Sequence, residues 1–536
     1  MRSSQFRSVV DDVRVTFIGR HAIAVAVAVA ASFLLALSVP GISAGAHPSG
    51  SPSPIANFQI GRASSSPVIS IVAGDGTAYL AYTASNKSDF ASAYVCVLPR
   101  GARRCSKTTL LPPLDGKTSV SGVSDSSLFG PSGTVDVLVT TSNDVNGDDK
   151  TTAGLDADTI EYVLNSGGKL VGSPKRIGTL DAQGNAITYH GQILWVSGST
   201  DTGTGAISLQ ESPADKSGTG FENITAPIRI NLAGTPASKE FYFYGGNVVA
   251  LPNGHLLIAW DDNTNAYDVE VDPAHGFRVV GSSEFKGYVT TYGSSTVTSE
   301  LSSGPRGVLL LLRASTNGFS GKLEMLKYKS DGHFGSPMTI PSPNSANTDY
   351  GDYRMVQQAD GVLNLFYEVG NVLVQEVSYN GGHNWSKYSY PSATPFVTLN
   401  LAPAILPFGA GVVFEASGGT VANGILPKVQ PVLVHQSVSL SLVPNPVKLG
   451  SQSMPSGVVS YGHGGQLVWL QKKFGNSWHT VAASSEKANG HFSFVAIKGH
   501  SVGKTTYRVQ AAEVPGWFFS DFSGARTLTV YKPKKK

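Results

Sequence analysis

The chain is 536 residues long and carries a formal charge of +3, with only 14% of its residues charged. These whole-chain values do not suggest the strongly basic character that is typical of a nucleic-acid-binding protein, so we predict no nucleic-acid partner. The length allows two or more domains. Sixty Gly and thirty Pro, with abundant Ser, Thr and Val, predict many short strands joined by turns.

The first 46 residues have the order of a secretory signal peptide. Four arginines come first, an apolar run follows at residues 22–39, and small residues end at Ala46. This order predicts cleavage after Ala46 and a secreted, extracellular protein that associates with the cell surface. The alternative is a retained membrane anchor, because the apolar run is close to the length of a span. After cleavage we expect a Ser/Pro-rich linker at residues 47–54 and no membrane span.

The two cysteines of the chain, Cys96 and Cys105, flank the turn-forming segment L-P-R-G-A-R-R between two short strand patterns. In an exported protein, a pair at this spacing favours a disulfide across a hairpin over a thiol nucleophile or a metal site. We therefore predict a bond between Cys96 and Cys105.

The sharpest turn signal is S-Y-N-G-G-H-N-W at residues 378–385, which follows strand-like alternation at Val372, Val374 and Val377. Its Asn and Gly residues tolerate the positive φ angles of a tight turn. Weaker copies, each with a Gly ahead of an apolar residue, occur at Gly168, Gly220, Gly276 and Gly332. The gaps between successive copies are roughly 52, 56, 56 and 50 residues, a period that indicates a solenoid, a propeller or an array.

Each repeat contains a turn, an apolar strand, a second strand, the glycine turn and an outer strand. A four-stranded antiparallel sheet of this kind cannot bury both faces alone, so we predict that the sheets stack and close into a β-propeller at residues 55–435. We count seven blades, with six as the alternative, because the seventh unit is irregular and the second carries an insertion. The early segment I-A-N-F-Q-I is expected to complete the last blade.

The period and the turn at residues 378–385 together resemble the Asp-box (BNR-repeat) propellers of the sialidase superfamily. In that family the loop reads S-x-D-x-G-x-x-W, and Ser378, Gly382 and Trp385 match it, while Asn380 replaces the Asp. The other copies are degraded. The resemblance implies a propeller fold, and it places these four residues in a structural turn at the blade periphery.

From residue 436 the pattern changes to about seven short strands in under a hundred residues, as expected of a β-sandwich. The segment at residues 436–531 resembles the Ig-like modules of secreted bacterial proteins. The matching motifs lie at residues 468–471, 478–482, 490–492 and 505–508. The basic tail at residues 532–536 is expected to be solvated, and contact with anionic wall polymers is the alternative. The predicted fold class is therefore all-β, a propeller followed by an Ig-like sandwich.

An active sialidase, by the same resemblance, needs arginines that bind a substrate carboxylate, a tyrosine nucleophile assisted by Glu, and an Asp acid/base. The best candidates here are Arg354 and its neighbour Tyr353, which lie near the entry of a blade. Arg62 is the nearest match to the first arginine motif of the family, but the motif's spacing is missing. No complete catalytic set can be assembled.

The insertion in the second repeat contains D-V-N-G-D-D, with oxygen ligands at Asp144, Asn146 and Asp148. This alternation suits a Ca²⁺ loop, and Ca²⁺ is the one cofactor that the sequence suggests. The alternative is a solvated acidic loop, because Asp149 occupies the position where the turn needs Gly and the distal Glu is absent.

The histidines are scattered, with no pair at metal-ligand spacing, so we expect them in surface turns. The leading hypothesis for function is a secreted recognition protein whose propeller face binds a glycan or a protein at the cell surface. The alternative is a sialidase-type exo-glycoside hydrolase, and a structural wall component ranks third. Fold by itself does not decide between them.

Overall fold

A computed structural model describes the chain between residues 58 and 534. The segments outside the described residues are 60–68, 73–76, 86–90, 100–101, 113–119, 130–133, 142–156, 181–184, 200–205, 214–219, 224, 226–227, 236–246, 262–264, 287–298, 316–320, 342–353, 359–360, 370–371, 392–395, 404–410, 418–424, 433, 461–463 and 515–519, together with both termini. No helix in the described part has the length and apolar character that crossing a bilayer requires. The described fold is all-β, with one short 3-10 helix at Pro273–His275.

Seven four-stranded antiparallel sheets, here called blades, form the larger part of the described chain. β1 is Phe58–Gln59. Blade 1 contains β2 (Ile69–Val72), β3 (Ala78–Ser85), β4 (Ala91–Leu98) and β5 (Lys107–Leu111). Blade 2 contains β6 (Val120–Phe129), β7 (Val135–Thr141), β8 (Ala157–Leu164) and β9 (Lys175–Leu180). Blade 3 contains β10 (Asn185–Tyr189), β11 (Gln192–Ser199), β12 (Ala206–Pro213) and β13 (Ile228–Ile230). Blade 4 contains β14 (Asn247–Ala250), β15 (Leu256–Asp261), β16 (Asn265–Asp272) and β17 (Arg278–Lys286). Blade 5 contains β18 (Ser299–Gly304), β19 (Gly307–Ser315), β20 (Gly321–Lys327) and β21 (Met338–Ile340). Blade 6 contains β22 (Arg354–Gln357), β23 (Leu363–Val369), β24 (Val372–Ser378) and β25 (Ser386–Pro391). Blade 7 contains β26 (Phe396–Pro403), β27 (Gly411–Ser417) and β28 (Ile425–Pro431), and β1 is its fourth strand.

Strand β15 shows why the middle strands carry apolar residues on both faces. Leu256, Ile258 and Trp260 lie in a core shared with blade 3, whereas Leu257 and Ala259 lie in a core shared with blade 5. Successive side chains of a strand point to opposite faces, so a middle strand of a blade packed between two neighbours buries apolar residues on both faces. Burial of each large aliphatic side chain contributes about 1.5–3 kcal/mol, and stacking of the blades is therefore what holds the repeats together.

The blades form a closed ring, a β-propeller. The first strand of each blade contacts the first strand of the next, from β2 through β6, β10, β14, β18 and β22 to β26, and β26 contacts β2 again. The chain closes the ring through β1, because Phe58 pairs with Val429 and Gln59 with Lys428 in an antiparallel ladder with β28. The predicted early strand thus supplies the outer strand of the last blade, which joins the two ends of the ring by hydrogen bonds.

The glycine turns predicted from the repeat all connect the third and fourth strands of a blade. Because neighbouring strands are antiparallel, the connections 1–2 and 3–4 of every blade lie at one end of the ring, here called the turn end. Gly168 and Gly382 have φ angles of 69° and 97°. A Cβ atom on Gly168 would lie 2.2 Å from Val97 of blade 1, and one on Gly382 would lie 2.2 Å from Met325 of blade 5. The turns at Gly168 and Gly382 therefore pack against the third strand of the preceding blade, where only glycine fits.

The strands after residue 434 form two further sheets that enclose one core. The smaller sheet has the order β29-β31-β34, and β35 also pairs with β31; the larger has the order β30-β38-β36-β32-β33, and β37 pairs with β36. The strands are β29 (Ser441–Val443), β30 (Val447–Lys448), β31 (Gln452–Val458), β32 (Leu467–Phe474), β33 (Ser477–Ser485), β34 (His491–Ser493), β35 (Ile497–Lys498), β36 (Gly503–Ala511), β37 (Asp521–Phe522) and β38 (Arg526–Tyr531). Leu442 and Phe492 of one sheet share this core with Leu470, Val509 and other residues of the other, so the C-terminal part is a two-sheet sandwich.

Candidate functional site

The candidate site lies at the turn end of the ring, where blade 4 meets blade 5. The third strand of blade 4 carries Asp268, Glu270 and Asp272 at alternate positions, so the three carboxylates share one face of β16. All three residues are buried, and Val269 and Val271 on the other face belong to the core shared with blade 3. A row of buried carboxylates needs hydrogen-bonding partners, and the turns around it supply them.

Glu270 is the centre of this arrangement. Its Oε1 accepts a hydrogen bond from Asn253 Nδ2 at 3.0 Å and lies 2.5 Å from Nδ1 of His255. Its Oε2 accepts the hydroxyl of Tyr328, which belongs to blade 5. The carboxylate therefore joins the first turn of blade 4 to the neighbouring blade.

Asp272 holds the second turn of blade 4. Its Oδ1 accepts a hydrogen bond from Ala274 N at 3.0 Å, which caps the 3-10 helix Pro273–His275, and its Oδ2 lies 2.5 Å from Nδ1 of His275. Gly276 ends this helix with a φ of 69° and returns the chain into β17. Nε2 of His255 is 3.8 Å from the same Oδ2 atom, so both imidazoles face Asp272.

The pKa values of the carboxyl groups are shifted in opposite directions. Burial raises the pKa of Asp268 to about 6, although a hydrogen bond from Ser283 opposes the shift. Burial also opposes ionisation of Glu270, but hydrogen bonds from Tyr328, His255 and Asn253 outweigh it and lower its pKa. Burial and the bond to Glu270 raise the pKa of Tyr328. At neutral pH, Glu270 is thus an ionised hydrogen-bond acceptor.

The pKa of Asp272 is also lowered. Burial disfavours the charged form, but the hydrogen bond and the charge of His275, with His255 and the Ala274 N–H, outweigh it. We call the set Asn253, His255, Glu270, Asp272, His275 and Tyr328 the blade 4–5 cluster. A perturbed pair of carboxylates beside partly exposed polar groups is the pattern found at functional sites.

The outward side of the blade 4–5 cluster is formed by imidazole and amide edges. The side chain of His275 is 69% exposed and that of His255 is 25% exposed, while Asn253 is exposed on the turn. Tyr189 of blade 3 donates its hydroxyl to Gly254 O in the same turn. Within the described residues no group of three His, Cys, Asp or Glu side chains has an arrangement that could hold a metal ion. The cluster can therefore offer hydrogen-bonding groups and a neighbouring aromatic ring to a ligand.

Among the catalytic candidates from the sequence, Arg354 is within the described residues, and it does not lie in this cluster. Arg354 is the first residue of β22, the innermost strand of blade 6, and is half-buried opposite Phe366. It lies at the end of the ring opposite the turn end. Tyr353 and Arg62 are outside the described residues.

The calcium candidates Asp144, Asn146 and Asp148 are also outside the described residues, in the connection between β7 and β8. The Ca²⁺ loop stays a prediction.

The predicted disulfide between Cys96 and Cys105 is present, and it crosses the hairpin between β4 and β5. This hairpin is the 3–4 connection of blade 1, the place that a glycine turn occupies in blades 2 to 6. In blade 1, a disulfide bond therefore crosses the 3–4 connection, which in blades 2 to 6 is a glycine turn.

The turn at residues 378–385 is held by its own side chains. Ser378 Oγ accepts from Gly382 N at 2.8 Å, and Asn380 Oδ1 accepts from Asn384 N at 2.9 Å. Trp385 Nε1 donates to Gly382 O at 2.9 Å. The amide oxygen of Asn380 is therefore a hydrogen-bond acceptor for the backbone of this turn.

The expectation that the histidines lie in scattered surface turns does not identify the blade 4–5 cluster. One signal was present in the sequence. The segment D-V-E-V-D at residues 268–272 places acidic residues at alternate positions of a strand that must be covered on both faces. Buried carboxylates need partners, and His255 in the preceding turn and His275 in the following one are the nearest in sequence.

Comparison with known proteins gives a fold likeness only. No protein-family model matches the chain, and no curated protein matches it. Among solved structures, the chain is similar to an alpha-L-arabinanase from Penicillium chrysogenum, with 11% identity over 63% of this chain and 99% of that chain and a TM-score of 0.34. It is also similar to the NanB sialidase from Streptococcus pneumoniae, with 14% identity over 70% of each chain and a TM-score of 0.37. A putative 6-phosphogluconolactonase from Bacteroides fragilis shows 13% identity over 65% of this chain and 93% of that chain, with a TM-score of 0.38. These values are too low for any activity to be transferred to this chain.

Proposed function

We propose that this chain is a secreted recognition protein whose propeller binds a glycan at the turn end of the ring, through the blade 4–5 cluster. The observation that carries the proposal is the ionised Glu270, held among Asn253, His255 and Tyr328 at the surface junction of two blades. Perturbed ionisable groups that converge with polar groups at a surface are the default sign of a binding site.

The chemistry of the blade 4–5 cluster suits sugar hydroxyls, which both donate and accept hydrogen bonds. With Nδ1 of His275 engaged by Asp272, Nε2 is left as an acceptor in the neutral ring and as a donor in the charged ring. The Oδ1 atom of Asn253 accepts from His255 N at 3.0 Å and retains a second lone pair. We favour a glycan over a cell-surface protein because the blade 4–5 cluster is a set of six residues, whereas a stable protein interface has about 20–30 residues on each side.

An extracellular location supports this proposal. The Cys96–Cys105 disulfide is of the kind that persists in oxidising compartments. The N-terminal signal pattern at residues 1–46 predicts export. Glycans of the cell surface are the ligand class available there.

A glycan-binding array with the purified protein tests the proposal. We expect a defined set of glycans to bind, and we expect His275→Ala and Asn253→Ala to weaken binding about tenfold each, the effect of removing one or two hydrogen bonds to a ligand. His491→Ala in the sandwich is the matched control, because His491 is also exposed and lies outside the propeller. Unchanged binding in both cluster variants would rule out this site.

The second candidate is a glycoside hydrolase. The observation that favours it is the split between Asp268, whose pKa is raised to about 6, and Glu270, whose pKa is lowered, because glycosidases need one protonated and one ionised carboxyl group. Asp268 is only 2% exposed, however, which places it beyond direct contact with a substrate. The sialidase form of this hypothesis also needs an arginine clamp, and Arg354 lies at the other end of the ring.

Turnover of a fluorogenic sialoside and of a small panel of other fluorogenic glycosides, with and without Ca²⁺, decides between the two candidates. Turnover that Arg354→Gln abolishes would locate a sialidase site away from the blade 4–5 cluster. Turnover that Glu270→Gln abolishes would make the cluster catalytic. With binding on the array and no turnover, recognition remains the function.

A further inference from the structure

The outer face of the larger sandwich sheet carries an unusual set of side chains. Cross-strand register places Gln471 opposite Arg508, and Gln510 opposite Phe522, on the face that points away from the core. Trp478 pairs with Lys473 and extends the same face onto β33. This face is therefore aromatic, amide-rich and cationic, whereas the inner face of the same strands is apolar.

Arg508 is held at the centre of this face. Its Cζ lies 4.5 Å from the ring centroid of Trp478 and 4.1 Å from that of Phe522, so two rings flank the guanidinium. Its Nε donates to Gln471 Oε1 at 2.7 Å, and Gln471 Nε2 donates in turn to Gln510 Oε1 at 2.8 Å. One edge of the guanidinium is thus fixed by the sheet, which leaves the two terminal nitrogens for a ligand.

No carboxylate in the described part of the chain forms an ion pair with Arg508. Partial burial lowers the pKa of this arginine, as expected when a cation is taken from water without a counter-charge. A half-buried, positioned and unpaired guanidinium is suited to bidentate binding of an anion.

The charge of the two parts of the chain supports an anionic partner. Residues 436–536 contain twelve Lys and Arg against three Asp and Glu, which is a formal charge of +9. Because the whole chain has a formal charge of +3, residues 1–435 have a formal charge of −6. Two of the three acidic residues, Glu486 and Asp521, are buried. The exposed Lys473 and Lys504 share the outer face with Arg508. The sandwich together with its basic tail is therefore expected to attract polyanions although the whole chain is nearly neutral.

We propose that this outer face binds an acidic polysaccharide, with the Arg508 guanidinium on a carboxylate of one sugar and the half-exposed rings of Trp478 and Phe522 against neighbouring sugar rings. The rings favour a polysaccharide over a polyphosphate, because they offer apolar surface that only the sugar rings can cover. Lys473 and Lys504 extend the contact along a linear chain. The site lies outside the propeller, so it is independent of the blade 4–5 cluster.

The test is binding of the full protein to alginate, a linear polyuronate, with carboxyl-reduced alginate and polyphosphate as comparison ligands. We expect binding to alginate that weakens as salt is raised, weaker binding to the reduced polymer, and weaker binding to polyphosphate. Arg508→Gln should lower the affinity at least about tenfold, since it removes a charge-assisted bidentate pair. Trp478→Ala should lower it severalfold through loss of ring contact.

Arg526→Gln is the matched control, because Arg526 is an exposed arginine of the same sheet whose register partner Tyr507 faces the core. It should leave affinity within about twofold. Circular dichroism and thermal unfolding establish that each variant is folded, and Lys504→Gln, another change on the outer face, replaces Arg508→Gln or Trp478→Ala if either is not. An equal loss in Arg508→Gln and Arg526→Gln, equal binding of polyphosphate, or no binding of alginate by the unaltered protein would each overturn the proposal.

Discussion

Nδ1 of His435 lies 2.9 Å from Oδ1 of Asp521, and this contact ties the end of the propeller to the sandwich across 86 residues of sequence. The other oxygen of Asp521 accepts a hydrogen bond from Gln436 N at 2.8 Å. The imidazole also meets the ring of Tyr379 edge-on, at 4.4 Å between centroids, within the turn at residues 378–385. His435 therefore contacts both the turn at residues 378–385 and Asp521 of the sandwich.

Asp521→Ala should destabilise the protein by about 1–3 kcal/mol, because it leaves His435 and the Gln436 N–H without this acceptor in a buried junction. Asp521→Asn keeps a carbonyl oxygen for Gln436 and should cost less. Urea unfolding followed by tryptophan fluorescence measures both changes. Equal stability of the two variants would contradict this prediction, because it would mean that the retained acceptor for Gln436 does not stabilise the protein.

Gly457→Ala should be strongly destabilising. Gly457 lies in β31, and an added Cβ would be 2.1 Å from the carbonyl oxygen of Ser439, so the backbone itself must move. We expect a loss of about 3 kcal/mol or more. Gly524→Ala is the matched control, since its Cβ would meet nothing within 4 Å, and should change stability by no more than about 0.5 kcal/mol. Thermal unfolding midpoints compare the two.

Loss of the Cys96–Cys105 bond should lower stability by about 2–3 kcal/mol, because the bond closes a short loop in the unfolded chain. The double variant Cys96→Ala with Cys105→Ala should have the same free energy of unfolding as the unaltered protein has in reductant. Adding reductant should not change the stability of the double variant. Guanidinium unfolding with and without dithiothreitol measures this. A double variant as stable as the oxidised protein would contradict the prediction.

The raised pKa of Asp268 has a consequence for stability against pH. Because its folded value of about 6 lies above the ordinary value of 3.8, the folded protein binds more protons between the two, and its stability falls as pH rises through that range. Asp268→Asn does not titrate. The variant should therefore gain stability relative to the unaltered protein between pH 4 and pH 7, by about 3 kcal/mol at most.

Unfolding free energies of both proteins across pH 4–7 test this, and the difference between them removes the contribution of all other groups. Glu513→Gln, at an exposed position, is the control and should show no such trend. A difference that is flat with pH would show that Asp268 is already ionised throughout the range.

Much of the fold could be read from the chain itself. The spacing of the glycine turns indicated the repeat, because Gly168 and Gly382 occupy positions where a positive φ and a close neighbour both exclude a side chain. The short hairpin spacing between Cys96 and Cys105 was enough to predict their bond. These features are local or periodic, so they leave marks on a single sequence.

The blade 4–5 cluster left only a partial mark, the alternating acidic residues at 268–272, which does not show which side chains meet them. Tyr328 lies 58 residues after Glu270 and reaches it only because blades 4 and 5 stack. The same holds for the sandwich, where Phe522 and Trp478 reach Arg508 from the opposite sides of β36. The sequence by itself determined the strands, the turns and the repeat, because these depend on backbone conformation and on the alternation of apolar residues. Only the tertiary structure decided which polar side chains meet, because that depends on the register and the stacking of sheets that are far apart in the chain.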